Sequence, residues 1–168
     1  MNQAAPSLAE ELCELQFASG WSDGVVKELA AIAQYVDFPT GSTIFLQGSE
    51  NHHLYLLTAG RVGLDMYVPA RGAVRILTLS RGELLAWSAL LGDGHMTATG
   101  TALDAVRAIA IDGAKLLELC DRRHDIGYPV MKRLAWALSH RLVATRLQLL
   151  DLFAHTSPHV MQLPAGGN

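Results

Sequence analysis

The most restrictive feature of the sequence is an alternation of apolar and polar side chains between residues 35 and 111. Ile44 with Leu46, and Val62 with Leu64, stand two positions apart. A spacing of two is the side-chain period of a β-strand, whose successive residues point to opposite faces. Because the stretches are short and no helical period separates them, they predict a β-sandwich or jelly roll. Turns that contain glycine, proline or asparagine divide them at residues 39–41, 48–51, 59–60, 69–72 and 81–82.

Helical patterns flank this region, and the length of the chain favours a single domain over residues 1–168. Ser7 followed by Glu10 is a capping-box pattern, and Ser22 precedes a stretch with one apolar helical face. Both signals predict short helices ahead of the β region. The predicted divisions are N-terminal helices within 7–34, the β region at 35–111, C-terminal helices at 112–153 and a loose tail at 154–168.

An apolar repeat marks a long helix that we predict from about Tyr128 to Phe153. Its members are separated by alternating steps of four and three residues, the heptad spacing of a coiled coil. Such a helix is about 37 Å long, more than the end of a small barrel can cover. The repeat therefore predicts a homodimer, and the alternative is a helix that packs only on its own barrel. The predicted interface consists of Met131, Ala135, Leu138, Leu142, Thr145, Leu149 and Leu152.

Composition and motifs argue against several functional classes. A net charge of −3 and a pI near 6.1 disfavour a nucleic-acid surface. Cys13 and Cys120 have no partner motif, and the adjacent His52 and His53 would face opposite sides of a strand, so no metal or other cofactor is expected. No nucleophile, base and acid stand together, so no catalytic residues are assigned and an enzyme is not expected. The absence of a signal-peptide pattern and of a membrane-length apolar stretch predicts a cytoplasmic protein without a membrane partner.

Residues 82–102 carry the strongest functional signal. Gly82 and Glu83 are suited to a turn, residues 86–91 to a short helix, and the Gly-Asp-Gly run at 92–94 to a helix end. Alternating threonines then predict a strand. A turn that leads into a short helix leaves backbone N–H groups free, and such groups can hold an anion.

This stretch resembles the phosphate-binding cassette of cyclic-nucleotide-binding domains in the catabolite activator protein group. The resemblance runs from about Phe17 to about Phe153. It implies a mainly β fold with α-helices: a double-stranded β-helix jelly roll, flanking N-terminal helices and a long C-terminal dimerisation helix. It also implies a sensor in which ligand shifts the long helix relative to the barrel. The matching positions are Gly41, Gly48, Tyr55, Gly60, Gly82, Leu90, Leu91 and Ala102.

The chain departs from that family at the residues that hold the nucleotide. In the family, a Gly-Glu pair opens the cassette helix and its Glu binds the ribose hydroxyl, while a later Arg binds the cyclic phosphate. Aligning Gly82 with the turn glycine places Ala86 and Trp87 at the Gly-Glu pair and Met96 at the Arg position. A second register starts the pair at Gly82 itself and puts Asp93 at the Arg position.

Neither register supplies the phosphate contact, because no lysine or arginine occurs between Arg81 and Arg107. A hydrogen bond to a charged group contributes about 1.5–3 kcal/mol, so losing two weakens binding roughly a hundredfold to ten-thousandfold. The site is therefore either rebuilt for a less charged ligand or filled as core. By resemblance, a threonine of the long helix reaches the nucleotide base. The candidate ligand-binding residues are Ala86, Trp87, Ser88, His95, Met96, Thr97 and Thr145.

Together these features predict a non-catalytic regulatory module that does not bind cyclic AMP or cyclic GMP in the usual way. One alternative is a structural, partner-binding subunit whose pocket is plugged by Trp87. Another is a true cyclic-nucleotide receptor in which backbone amides alone hold the phosphate. The expected partners are a second copy of the chain, a small-molecule or nucleotide-like ligand, and another protein. DNA is not expected, because residues 154–168 are too few for the helix-turn-helix domain that follows the long helix in the family's transcription factors.

Overall fold

Two four-stranded sheets form the centre of the fold within residues 6–154, the part of the chain that the computed structural model describes. Side-chain environments are described for residues 6–147 and for residue 150. The strands are β1 Ala33–Phe38, β2 Thr43–Phe45, β3 His53–Ala59, β4 Val62–Val68, β5 Gly72–Leu79, β6 Leu84–Leu85, β7 Thr99–Ala102 and β8 Val106–Asp112. One sheet has the order β1-β8-β3-β6 and the other β2-β7-β4-β5, with antiparallel pairing throughout.

Helices flank the two sheets on the N-terminal and C-terminal sides of the β region, so the predicted jelly-roll fold is confirmed. The capping box predicted at Ser7 and Glu10 is also confirmed: Ser7 N donates to Glu10 Oε2 at 2.7 Å, and Glu10 N donates to Ser7 Oγ at 3.3 Å. The helices are α1 Leu8–Glu14, α2 Asp23–Ala31, α3 Gly113–Arg122 and α4 His124–Ala154, with a 3-10 helix at Trp87–Ala89.

One helix cap and one helix start differ from the sequence prediction. Ser22 occupies the N-cap position of α2, but its side chain makes no capping hydrogen bond. α4 begins at His124 and not at Tyr128. Arg123 pairs with Asp125 at 2.7 Å just at this earlier start, and an acidic residue in the first turn complements the helix dipole.

The central strands supply two separate apolar cores. On β3, Leu54 and Leu56 pack with the helices, whereas Tyr55 and Leu57 pack between the two sheets, as the period of two requires. β8 follows the same rule, with isoleucines toward the helices and alanines between the sheets. We call the first cluster the helical core and the second the barrel core. The helical core therefore fixes how the helices sit on the barrel.

The chain's own core covers α4 only in its first half. Ile126, Val130 and Leu134 are fully buried and lie four residues apart on one face of the helix. Beyond Leu138, none of the described side chains of α4 is buried. The second half of the helix therefore extends away from the chain's own core.

This arrangement divides the predicted dimer seam. Met131 and Leu138 are half-buried and pack against the helical core of their own chain, so their part in an interface between subunits stays a prediction. They pack there because the seam runs beside the buried face of the first half of α4. The exposed members of the seam are Ala135, Leu142 and Thr145. The side chains of Leu149 and Leu152 lie outside the described residues.

Among the described helices, none combines the length and the apolar character that crossing a membrane requires. The tail predicted at residues 154–168 lies outside the described part of the chain, apart from the end of α4.

Candidate ligand-binding site

The cassette begins with a tight turn between β5 and β6. Gly82 has φ +86°, a left-handed conformation that glycine adopts without strain, and its N–H donates to Leu57 O at 2.8 Å. The Glu83 carboxylate accepts hydrogen bonds from the Ser80 amide at 2.8 Å and from the Ser80 hydroxyl at 3.0 Å. Glu83 is therefore engaged in closing the turn.

Ala86 is the residue at which the backbone enters the 3-10 helix. It has φ 61° and ψ 43°, the left-handed region, which costs a residue with a Cβ about 1–2 kcal/mol. Such a position favours glycine. This supports the register in which Ala86 and Trp87 stand at the family's Gly-Glu pair. The predicted helix at residues 86–91 is shorter than expected, since only Trp87–Ala89 is helical.

Trp87 and Met96 lie in different cores. Trp87 is half-buried and packs against the helical core. Met96 is 3% exposed and belongs to the barrel core together with Ala86, which is 6% exposed. Met96, and not Trp87, is therefore the side chain that lies between the two sheets, and the plugging of the pocket by Trp87 stays a prediction. The left-handed turn at Ala86 is what directs the next side chain toward the helices.

The polar candidates are dispersed. Ser88 is buried, whereas His95 and Thr97 are exposed. His95 Nδ1 lies 3.4 Å from Asp93 Oδ2, and the His95 amide donates to that carboxylate, which holds the Asp93 pKa below its ordinary value. Thr145 is exposed on α4, and its hydroxyl donates to a backbone carbonyl of its own helix. The structure thus does not bring these groups into one polar site.

The arginines that border the cassette are paired elsewhere. Arg81 donates to Thr58 O at 3.0 Å and pairs with Glu14 at 3.1 Å. Arg107 pairs with Asp37 at 2.9 Å. Among the described residues, no group of three or more His, Cys, Asp and Glu side chains is placed to hold a metal ion.

A cavity of about 320 Å³ lies between the cassette turn and α4, and sequence reasoning missed it. Three distant segments form it: the loop at residues 16–17, the β5–β6 turn and one face of α4. The available signal was the alternating spacing of three and one residues between its helical members, at positions 133, 136, 137, 140, 141 and 144. The side chains of interest in its lining are Leu77, Glu83, Arg133, Trp136, His140 and Arg141.

Comparison with known proteins identifies the family to which the chain belongs. Residues 35–123 match the sequence model of the cyclic nucleotide-binding domain. The chain belongs to this family. The matched region runs from β1 to the end of α3 and includes the whole cassette.

Among curated proteins, this chain is similar to the CRP-like cAMP-activated global transcriptional regulator of Mycobacterium tuberculosis, with 27% identity over 144 residues. The match covers 85% of this chain but 62% of the relative. Among solved structures, a cyclic nucleotide-binding protein from Geobacter metallireducens has 30% identity and a TM-score of 0.71, covering 80% of this chain and 97% of that one. Thermus thermophilus catabolite activator protein has 28% identity and a TM-score of 0.67, covering 82% and 62%.

Proposed function

We infer that the protein is a non-catalytic regulatory module whose cassette has lost the usual recognition of cyclic AMP and cyclic GMP. The observation that carries this inference is Met96, a buried thioether in the barrel core at the position where the family resemblance expects a phosphate-binding arginine. Ala86 at the left-handed turn and Trp87 against the helical core complete the departure.

The chemistry of the cassette explains why a cyclic nucleotide is disfavoured. Its phosphate is an anion, and moving an anion out of water without a compensating partner costs free energy. A methionine sulfur is only a weak acceptor and donates nothing. Trp87 offers one indole N–H and cannot accept the ribose hydroxyl as a glutamate does. A less charged ligand, or a permanently filled barrel, suits these side chains better.

Rebuilding the cassette tests the inference. The variant Ala86→Gly, Trp87→Glu, Met96→Arg restores both charge-assisted contacts. It should bind cyclic AMP roughly a hundredfold to ten-thousandfold more tightly than the natural chain, because each contact contributes about 1.5–3 kcal/mol. Calorimetric titration measures both affinities. The matched control is Ala86→Gly, Trp87→Gln, Met96→Gln, which has similar side-chain sizes without the charges and should gain little.

The inference would be abandoned if the natural chain bound cyclic AMP within about tenfold of the rebuilt variant. A thermal melt of each variant shows whether it is folded. If the buried arginine prevents folding, the natural chain and the glutamine control still decide the matter, since micromolar binding by either contradicts the inference.

The second half of α4 supports a homodimer. Leu142, Val143, Leu147 and Leu150 are each more than half exposed, at 52%, 53%, 58% and 63%. At 3.6 residues per turn these four side chains span an arc of about 140° on the helix. An apolar stripe of that width normally faces a core or a partner, and the chain's own core covers only the first half of α4. A second copy that supplies the same helix would cover both exposed segments symmetrically.

A charge on the seam tests the dimer. Leu142→Glu should shift sedimentation toward the monomer, because a carboxylate would lose its water at the interface. Leu46→Glu is the matched control, since Leu46 is 58% exposed but lies outside α4. Equal sedimentation of the natural chain and Leu142→Glu would contradict a dimer through this seam.

A structural, partner-binding subunit is the second candidate, favoured by the burial of Met96 and Ala86 in the barrel core. In that case Met96→Ala should leave a cavity and destabilise the fold by about 2–5 kcal/mol. Neither the natural chain nor the Met96→Ala variant should then be stabilised by a ligand. Ligand-induced stabilisation of the natural chain would instead favour the sensor.

A further inference from the structure

The cavity beside α4 contains none of the seven cassette and helix candidates, so it is a second place at which a ligand could bind. At about 320 Å³ it lies at the small end of the range for ligand pockets.

The charges along the cavity do not balance. Arg133 and Arg141 are lining cations, whereas Glu83 is the one carboxylate in the lining, and it accepts two hydrogen bonds from Ser80. Arg133 donates to the Ser19 carbonyl oxygen at 2.7 Å, a contact that leaves its charge uncompensated. One positive charge therefore remains in excess in the cavity.

Arg141 carries one of the two positive charges of the lining in a partly dry setting. Other arginines of the described chain pair with carboxylates, including Arg61 with Asp104 and Arg75 with Asp65, but Arg141 makes no such pair within the described residues. Burial lowers the pKa of the Arg141 guanidinium, and the charge of Glu83 acts in the opposite direction. A desolvated cation without a partner is costly, and a bound anion removes that cost.

The remaining walls are apolar and aromatic. Trp136 is 45% exposed and stacks with His140 at a ring separation of 3.9 Å. The His140 Nδ1–H donates to the Trp136 carbonyl oxygen at 2.9 Å, and this holds the ring in place. Phe17 and Leu77 line the same space from the loop and from β5.

We propose that this cavity binds a small aromatic monocarboxylate, with its carboxylate on the guanidinium of Arg141 and its ring against Trp136, Phe17 and Leu77. One negative charge balances the excess positive charge, and a planar guanidinium matches a carboxylate in a two-point hydrogen bond. The proposal goes beyond the function given above, because it assigns a ligand to a cavity that shares only residues 82–84 with the cassette.

The probe is 3-phenylpropanoate, and the matched probe is its uncharged amide, 3-phenylpropanamide. Titration calorimetry on the full chain should show saturable binding of the acid, about ten- to a hundredfold tighter than the amide, as expected for one charge-assisted contact. Arg141→Gln should remove this preference. Arg146→Gln is the matched control, because Arg146 is exposed on the same helix outside the cavity, and it should bind like the natural chain.

Three results would each overturn the proposal: no saturable binding of the acid at about 10 mM, equal binding of acid and amide, or unchanged binding by Arg141→Gln. If Arg141→Gln fails to fold, as a thermal melt would show, the comparison of acid with amide on the natural chain decides. Failure here is distinguishable from failure of the proposed function, since the rebuilt cassette is tested with cyclic AMP and keeps Arg141.

Discussion

Truncating Leu134 tests the division of α4 into a covered and an uncovered half. Leu134 is fully buried in the helical core and is the last such residue among the side chains of α4 that the structure describes. Leucine-to-alanine changes in cores cost about 2–5 kcal/mol, so Leu134→Ala should lower the free energy of unfolding by about 3 kcal/mol. For a domain of this size that is a drop of roughly 6–12 °C in melting temperature. Urea denaturation followed by circular dichroism measures the change.

Leu147→Ala is the matched control on the same helix. Leu147 is 58% exposed, so its truncation should change the unfolding free energy by no more than about 0.5 kcal/mol in the monomer. The comparison is made at protein concentrations low enough to remove any contribution from association. A cost for Leu147→Ala equal to that of Leu134→Ala, or a cost for Leu134→Ala below about 1 kcal/mol, would refute this account of α4.

Two further predictions concern the cassette's support and the thiols. Gly113→Ala should destabilise the fold by about 1–3 kcal/mol, because its Cβ would lie 3.2 Å from the His52 carbonyl oxygen and closer still to that of Ala89, at the end of the 3-10 helix. Gly24→Ala is the control and should not destabilise the fold, since nothing lies within 4 Å of its added Cβ. Equal melting temperatures of the two variants would refute this prediction. A thiol reagent at about pH 8 should modify exposed Cys13 first, because burial, and to a lesser extent Asp121, raises the Cys120 pKa. Mass spectrometry after proteolysis measures the order of labelling, and faster labelling of Cys120 would contradict the prediction.

The fold could be predicted from local patterns because its strands obey a simple period. The alternation at Leu54–Leu57 sends neighbouring side chains to opposite cores, and the capping box at Ser7 sets the first helix. The start of α4 was harder to place, because Gly127 and Pro129, residues that usually mark a break in a helix, lie near its beginning.

The candidate site could be predicted only in part. The missing cations at the cassette are visible in the sequence, since no arginine or lysine lies between residues 81 and 107. The direction of Trp87 is not, because it depends on the left-handed backbone at Ala86, which interrupts any regular period. The cavity beside α4 joins segments more than a hundred residues apart, so only its helical members at Arg133 and Trp136 share a local pattern.

Calorimetric titration of the natural chain with cyclic AMP and with cyclic GMP, at moderate salt, is the direct test of whether the cassette has lost the usual recognition of these nucleotides. Because Met96 lies in the barrel core and the cassette contains no lysine or arginine, we expect no saturable heat at nucleotide concentrations up to about 1 mM. Saturable binding in the micromolar range would contradict it, and would show that the cassette recognises a cyclic phosphate without a cationic side chain.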